Sequence, residues 1–78
     1  EFVLSVIAVN RRKVYASMPR RSVEILVCTE GDATITDQES REKLSLRRGM
    51  SLLIPACVSA YSIAGDAVIY KAAVPEQG

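Results

Sequence analysis

Val23-Glu24-Ile25-Leu26-Val27-Cys28-Thr29-Glu30-Gly31-Asp32-Ala33-Thr34-Ile35-Thr36 is the stretch on which the fold turns. Residues 23–28 are nearly continuous in hydrophobicity, as expected of a central strand covered on both faces. Glu30-Gly31-Asp32 reads as a tight turn in which Gly31 supplies the backbone freedom. Residues 33–36, rich in β-branched side chains, then read as the return arm of a hairpin.

Outward from this stretch, apolar runs punctuated by turn formers recur at short intervals, the arrangement of an all-β sandwich or barrel. Upstream, residues 2–9 form a first strand closed by Asn10 and Arg11-Arg12-Lys13. Residues 14–17 form a short second strand ended by Pro19, and both strands read as lying near an edge. Downstream, the wholly polar residues 37–42 read as a solvated loop or a single helical turn. Residues 43–47 alternate strictly between apolar and polar, and Arg48-Gly49 turns the chain. Residues 50–54 and 58–63 are two further apolar runs bent at Pro55, which cannot donate to a ladder. Ala64-Gly65-Asp66 reads as a last hairpin turn, residues 67–73 as the final strand and residues 74–78 as a fraying tail. The expectation is one domain over residues 1–78, an antiparallel jelly roll or β-barrel of seven to eight short strands.

Composition agrees. Nine Val, six Ile and three Thr favour pleated, half-buried strands. A chain of 78 residues lies near the size at which one hydrophobic core holds little stability in reserve. A net charge of +1 gives no global field to draw in nucleic acid or an anionic membrane. The apolar runs fall well short of the roughly 20 residues a spanning helix needs, so a soluble protein is expected. The chain opens on Glu1-Phe2-Val3, with neither an initiator Met nor a secretory pattern, and reads as part of a longer protein. Cys28 and Cys57 both lie in apolar runs, where burial as small hydrophobes is the plain reading and a disulfide the sharper one. A reducing cytoplasm fits them.

Two spacings resemble the motifs of the cupin superfamily, small β-barrels that often hold a metal. Glu24 and Gly31 stand as the Glu and Gly that close the first motif. Gly49 and Pro55 stand as the Gly and Pro that open the second. The metal ligands of those motifs do not follow. The first motif's His-x-His positions hold Met18 and Arg20, or Ser17 and Pro19, the second motif's His position holds Ala60, and the chain contains no histidine at all. A transition metal in such a barrel is gripped by imidazole nitrogens with a supporting carboxylate, and Glu24 alone is too poor a cage. Glu24 is therefore expected to face solvent or to pair with an Arg such as Arg21.

A narrower resemblance covers residues 2 to about 73. Phe2-Val3-Leu4-Ser5, residues 22–33 and residues 46–56 are similar to the C-terminal end of type I mannose-6-phosphate isomerases. That resemblance implies an enzyme interconverting mannose 6-phosphate and fructose 6-phosphate. Its zinc would be held by Gln, His, Glu and His of an upstream catalytic barrel, and a second, metal-free barrel would close the chain. This segment looks like that second barrel. No ligand can be carried over, since Gln38 and Gln77 sit in a loop and a tail. No catalytic, cofactor-binding or metal residue is assigned here, and Glu24, Gly31, Gly49 and Pro55 are structural remnants of the motifs. The expected partner is the upstream catalytic domain.

Other chemistries are weaker. Nucleophilic catalysis lacks its usual base beside Ser59 or Cys, and Glu39, Glu42 and Asp66 lie in a loop and a turn rather than facing one another. Arg11-Arg12-Lys13, Arg20-Arg21 and Arg47-Arg48 could meet a phosphate only if three turns converge. Solvated turns explain these charges without that requirement. Phe2, Tyr15, Tyr61 and Tyr70 are too few for base stacking on nucleic acid. The alternative function is a free-standing, metal-free regulatory barrel binding a small sugar-like ligand. It needs inward polar groups, for which Glu24, Ser51 and Tyr61 are the candidates.

Overall fold

The computed structural model describes residues 3–17, 23–58 and 60–73. Glu1, Phe2, Met18, Pro19, the Arg20-Arg21 pair, Ser22, Ser59 and the tail at 74–78 lie outside them. The described residues form six antiparallel strands and no helix: β1 (Val3–Val9), β2 (Tyr15–Ala16), β3 (Glu24–Asp37), β4 (Lys43–Arg47), β5 (Ser51–Ile54) and β6 (Tyr61–Ala73).

Both expected hairpin turns are absent. Glu30-Gly31-Asp32 lies inside the 14-residue β3, and Ala64-Gly65-Asp66 inside the 13-residue β6. These two strands pair with each other over their whole length, from Glu24 opposite Ala73 to Asp37 opposite Tyr61. That is why six strands stand where seven or eight short ones were expected. β5 pairs with the first half of β3 and β4 with its second half. Likewise β1 pairs with the second half of β6 and β2 with its first half.

The long pair bends across its middle. In a straight strand Glu24 and Asp37 would stand about 40 Å apart. Yet Tyr61, the partner of Asp37, donates a hydrogen bond to Glu24. The sheet therefore doubles back into two layers. The front layer runs β1, β6, β3, β5, and the back layer runs β2, β6, β3, β4.

Two devices make the bend. A bulge between Cys28 and Glu30 adds one residue to β3, so that inward positions change from Leu26 and Cys28 to Ala33 and Ile35 while the interior stays apolar. Gly31 and Gly65 adopt positive φ, 76° and 127°, where β3 and β6 cross too closely for any side chain. The Cys28 thiol donates to the Glu30 carbonyl at 3.3 Å, beside the bulge.

Between the layers lie Ile7 and Val9, Leu26 and Cys28, Ala33 and Ile35, Leu46, Ile54, Tyr61 and Ile63, Ala67 and Ile69, all buried. Cys57 is exposed in the turn after Pro55, not buried as expected, and neither cysteine is disulfide-bonded. Strand structure resumes only at Tyr61, because Val58 closes a turn onto the Pro55 carbonyl at 3.2 Å. The polar 37–42 segment is a turn organised by Asp37, whose carboxylate accepts the backbone N–H groups of Glu39 and Ser40. Among the described residues no helix is long and apolar enough to cross a membrane.

Candidate functional site

Four polar side chains from four strand segments converge on the interior where the two layers come back together. Glu24 opens β3 at 5% exposure, the one buried charged residue among those described. Its inward direction follows from strand alternation, which places it on the face of Leu26 and Cys28. Tyr61, at the start of β6 in the opposite layer, donates its hydroxyl to Glu24 Oε1 at 2.5 Å. Lys71 enters from the far half of β6, with Nζ 3.7 Å from Glu24 Oε2. The same ammonium donates to the Tyr15 hydroxyl of β2 at 3.0 Å. It also stands 5.4 Å from the centre of that ring, and the rings of Tyr15 and Tyr61 are tilted against each other with centroids 6.2 Å apart.

The electrostatics are those of a closed circuit. A carboxylate taken out of water needs donors, and here a phenol and an ammonium supply them. Burial pulls the Lys71 ammonium down, but the hydrogen bond to Tyr15 and the charge of Glu24 outweigh it and hold the group above its ordinary value. Lys71 therefore stays charged.

Glu24 thus does not face solvent, and Arg21, its expected partner, lies outside the described residues. Tyr61 faces inward as expected. Ser51 does not: opposite Val27 on β5, it is exposed on the outer surface. Reading the residues in order missed Tyr15 and Lys71. The alternation Ala67, Ile69, Lys71 places Lys71 on the inward face once β6 is known to be a strand, and that was the available signal.

The remaining motif residues shape the frame. Gly31 allows the crossing of β3 and β6. Gly49, with φ of 86°, lets the turn between β4 and β5 seat on the bulge, its N–H donating to the Cys28 carbonyl at 2.9 Å while the Arg48 N–H donates to the Gly31 carbonyl. Pro55 follows directly on β5.

These residues do not suit a divalent metal. Both oxygens of Glu24 face donors, one of them a cation, and Ser17 and Ala60 stand at two of the positions where imidazole would be needed. Among the described residues no three of His, Cys, Asp and Glu cluster. The described basic clusters do not meet either. Arg11-Arg12-Lys13 turns between β1 and β2 on one lateral edge, while Arg47-Arg48 turns between β4 and β5 on the other.

The outer surfaces of the two layers differ sharply. On the back layer the outward rows are Lys43, Thr36 and Ser62, then Ser45, Thr34 and Ala64. On the front layer they are Leu4, Ala72, Ile25 and Leu53, then Val6, Tyr70, Val27 and Ser51. Leu4 is 67% exposed, and Val6 and Leu53 are each 58% exposed. Residues 23–28 were expected to be covered on both faces, but among the described residues only the inner face is covered, and Val23, Ile25 and Val27 remain exposed on the outer one.

The family model described as the cupin domain of mannose-6-phosphate isomerase matches residues 2–73. This chain belongs to that family. No curated protein matches its sequence. Solved structures share the cupin fold. Iron(II) HppE with the alternative substrate (S)-1-HPP superposes with a TM-score of 0.71 at 17% identity, over 94% of this chain and 42% of that one. Cobalt(II) HppE in complex with substrate gives 0.69 at 19%, over 94% of this chain and 44% of that one. The chain thus spans less than half the length of either. The Cupin_2 domain of an XRE family transcriptional regulator from Enterobacter cloacae gives 0.67 at 10%, covering 96% of this cupin domain and 98% of that one.

Proposed function

We propose that this cupin domain is the non-catalytic C-terminal barrel of a cytoplasmic mannose-6-phosphate isomerase, and that it packs through its front outer face on the body of that enzyme. The body would carry the zinc and the catalytic residues of the aldose–ketose interconversion in carbohydrate metabolism. The observation that carries this reading is the apolar front face. Large apolar side chains from four adjacent strands form two contiguous rows in water, on a domain whose back face is polar. Contiguous patches of that kind on soluble proteins mark interaction sites. The family match supplies the enzyme to which such a face would belong. The interior supports a structural role, because its polar groups satisfy one another and its centre is filled with Leu, Ile and Cys side chains.

The test uses the complete isomerase. Leu4→Glu together with Leu53→Glu should lower its melting temperature and expose the barrel to limited proteolysis. The same pair in the 78-residue chain should leave the urea midpoint unmoved, since both side chains already face water. An enzyme indifferent to the double substitution would refute the docking. Saturable zinc binding or isomerase turnover by the 78-residue chain would refute the non-catalytic role.

A further inference from the structure

β1 is an outer strand of the front layer, and among the described residues nothing pairs with its free edge. Proteins blunt such edges with charge, proline, bulges or brevity, because a row of unpaired N–H and C=O groups is a template for another strand. The other edges here are blunted. β4 carries Lys43 and Arg47 at its ends, β5 has four residues and runs into Pro55, and β2 has two residues. β1 is different: Val3-Leu4-Ser5-Val6-Ile7-Ala8-Val9 is uncharged, free of proline and in unbroken register with β6.

A groove of about 360 Å³ runs along this edge, with residues 5–8 on one wall and residues 13–16 on the other. Lys71 reaches it from β6, and Lys13 and Tyr15 line it from the opposite side. A strand hydrogen-bonded to β1 would extend the front layer over this opening. Its inward side chains would meet Lys71, Lys13 and the hydroxyls of Tyr15 and Ser5. Its outward side chains would continue the rows begun by Leu4 and Val6.

We propose that the free edge of β1 and its groove receive an extended strand from another polypeptide segment, with acidic side chains facing the groove and apolar side chains facing out. Main-chain pairing would supply the register and the exposed Lys13 the selection by charge, since the Lys71 ammonium is already countered by Glu24. The inference goes beyond docking through the front face, since it uses the edge rather than the face and stands if that docking fails.

The test is a titration of the isotope-labelled chain, followed by NMR, with two synthetic peptides. They are acetyl-Val-Glu-Val-Glu-Val-amide and its counterpart with Lys in place of Glu. The acidic peptide should shift the amides of residues 5–8 and Lys71, slow amide exchange along β1, and bind about tenfold or more tightly than the basic one. Lys13→Glu, at an exposed position that the core does not use, should narrow that preference without moving the urea midpoint. Four results would each overturn the proposal. They are equal binding of both peptides, shifts confined to the Leu4 and Leu53 surface, the same shifts produced by N-acetylglutamate amide alone, and self-association through β1 that excludes the acidic peptide.

Discussion

Gly31 and Asp66 lie so close across the bend of β3 and β6 that a Cβ on Gly31 would overlap the Asp66 carbonyl oxygen. Gly65 stands in the reciprocal place, where a Cβ would come within 2.7 Å of the Asp32 carbonyl oxygen. Gly31→Ala therefore meets both a positive φ of 76° and an obstructing backbone, and should cost about 3 kcal/mol or more. Gly49 has open space around it, so Gly49→Ala meets only its φ of 86° and should cost about 1 kcal/mol. Urea unfolding checks the order. A Gly31→Ala chain no less stable than Gly49→Ala would contradict the close crossing.

Removing one member of the polar circuit should hurt in proportion to what is left unpaired. Tyr61→Phe strips one donor from a buried carboxylate and should cost about 1–3 kcal/mol. Lys71→Met takes away the countercharge and should cost more, about 3 kcal/mol. Adding Glu24→Gln to Lys71→Met should recover part of that loss, because the uncompensated charge disappears. The urea midpoints of the three chains measure this. Additive losses would mean that the three side chains do not act together.

Stability should fall in alkali. Burial raises the Cys28 thiol above its ordinary 9.0, with the charge of Asp32 adding to the shift and the Glu30 carbonyl partly offsetting it. Lys71 is likewise held above its ordinary 10.5. In both cases the unfolded chain loses its proton first, so the stabilisation present below the ordinary value is lost as pH rises beyond it. The urea midpoint should begin to drop near pH 9 and fall further above 10.5. Cys28→Ala should flatten the first part of that slope and Lys71→Met the second. A midpoint unchanged between pH 8 and pH 11 would refute the assignment.

The two thiols should separate by accessibility. Cys57 is exposed and Cys28 wholly buried, so a thiol reagent at neutral pH should modify one cysteine in the folded chain and both in denaturant. Two rapid reactions without denaturant would place Cys28 outside the core.

Much of this was readable along the chain. Period-two alternation located most strands, the spacing of Glu24, Gly31, Gly49 and Pro55 resembled the cupin motifs, and the phrases at 22–33 and 46–56 resembled the narrower family. The two misread turns share one cause. Glu30-Gly31-Asp32 and Ala64-Gly65-Asp66 carry the local chemistry of hairpin turns. Each glycine instead lets a long strand bend and pass close to another, and short-range pattern cannot separate those uses. Ser51 faces out because one residue decides which side of a strand is inward, and Cys57 is exposed because the chain turns after Pro55 instead of continuing as a strand.

What residue order alone determined is the β class, the location of most extended segments and the absence of imidazole, since each is a property of composition or of neighbours along the chain. What tertiary structure decided is which residues meet. Glu24 reaches Tyr61 across 37 positions and Lys71 reaches Tyr15 across 56, and only the folding back of β3 and β6 brings them together. It also decided that residues 23–28 bury one face and leave the other to water. The hydrophobicity of a side chain records its preference for burial, whereas its burial depends on what the rest of the chain can cover.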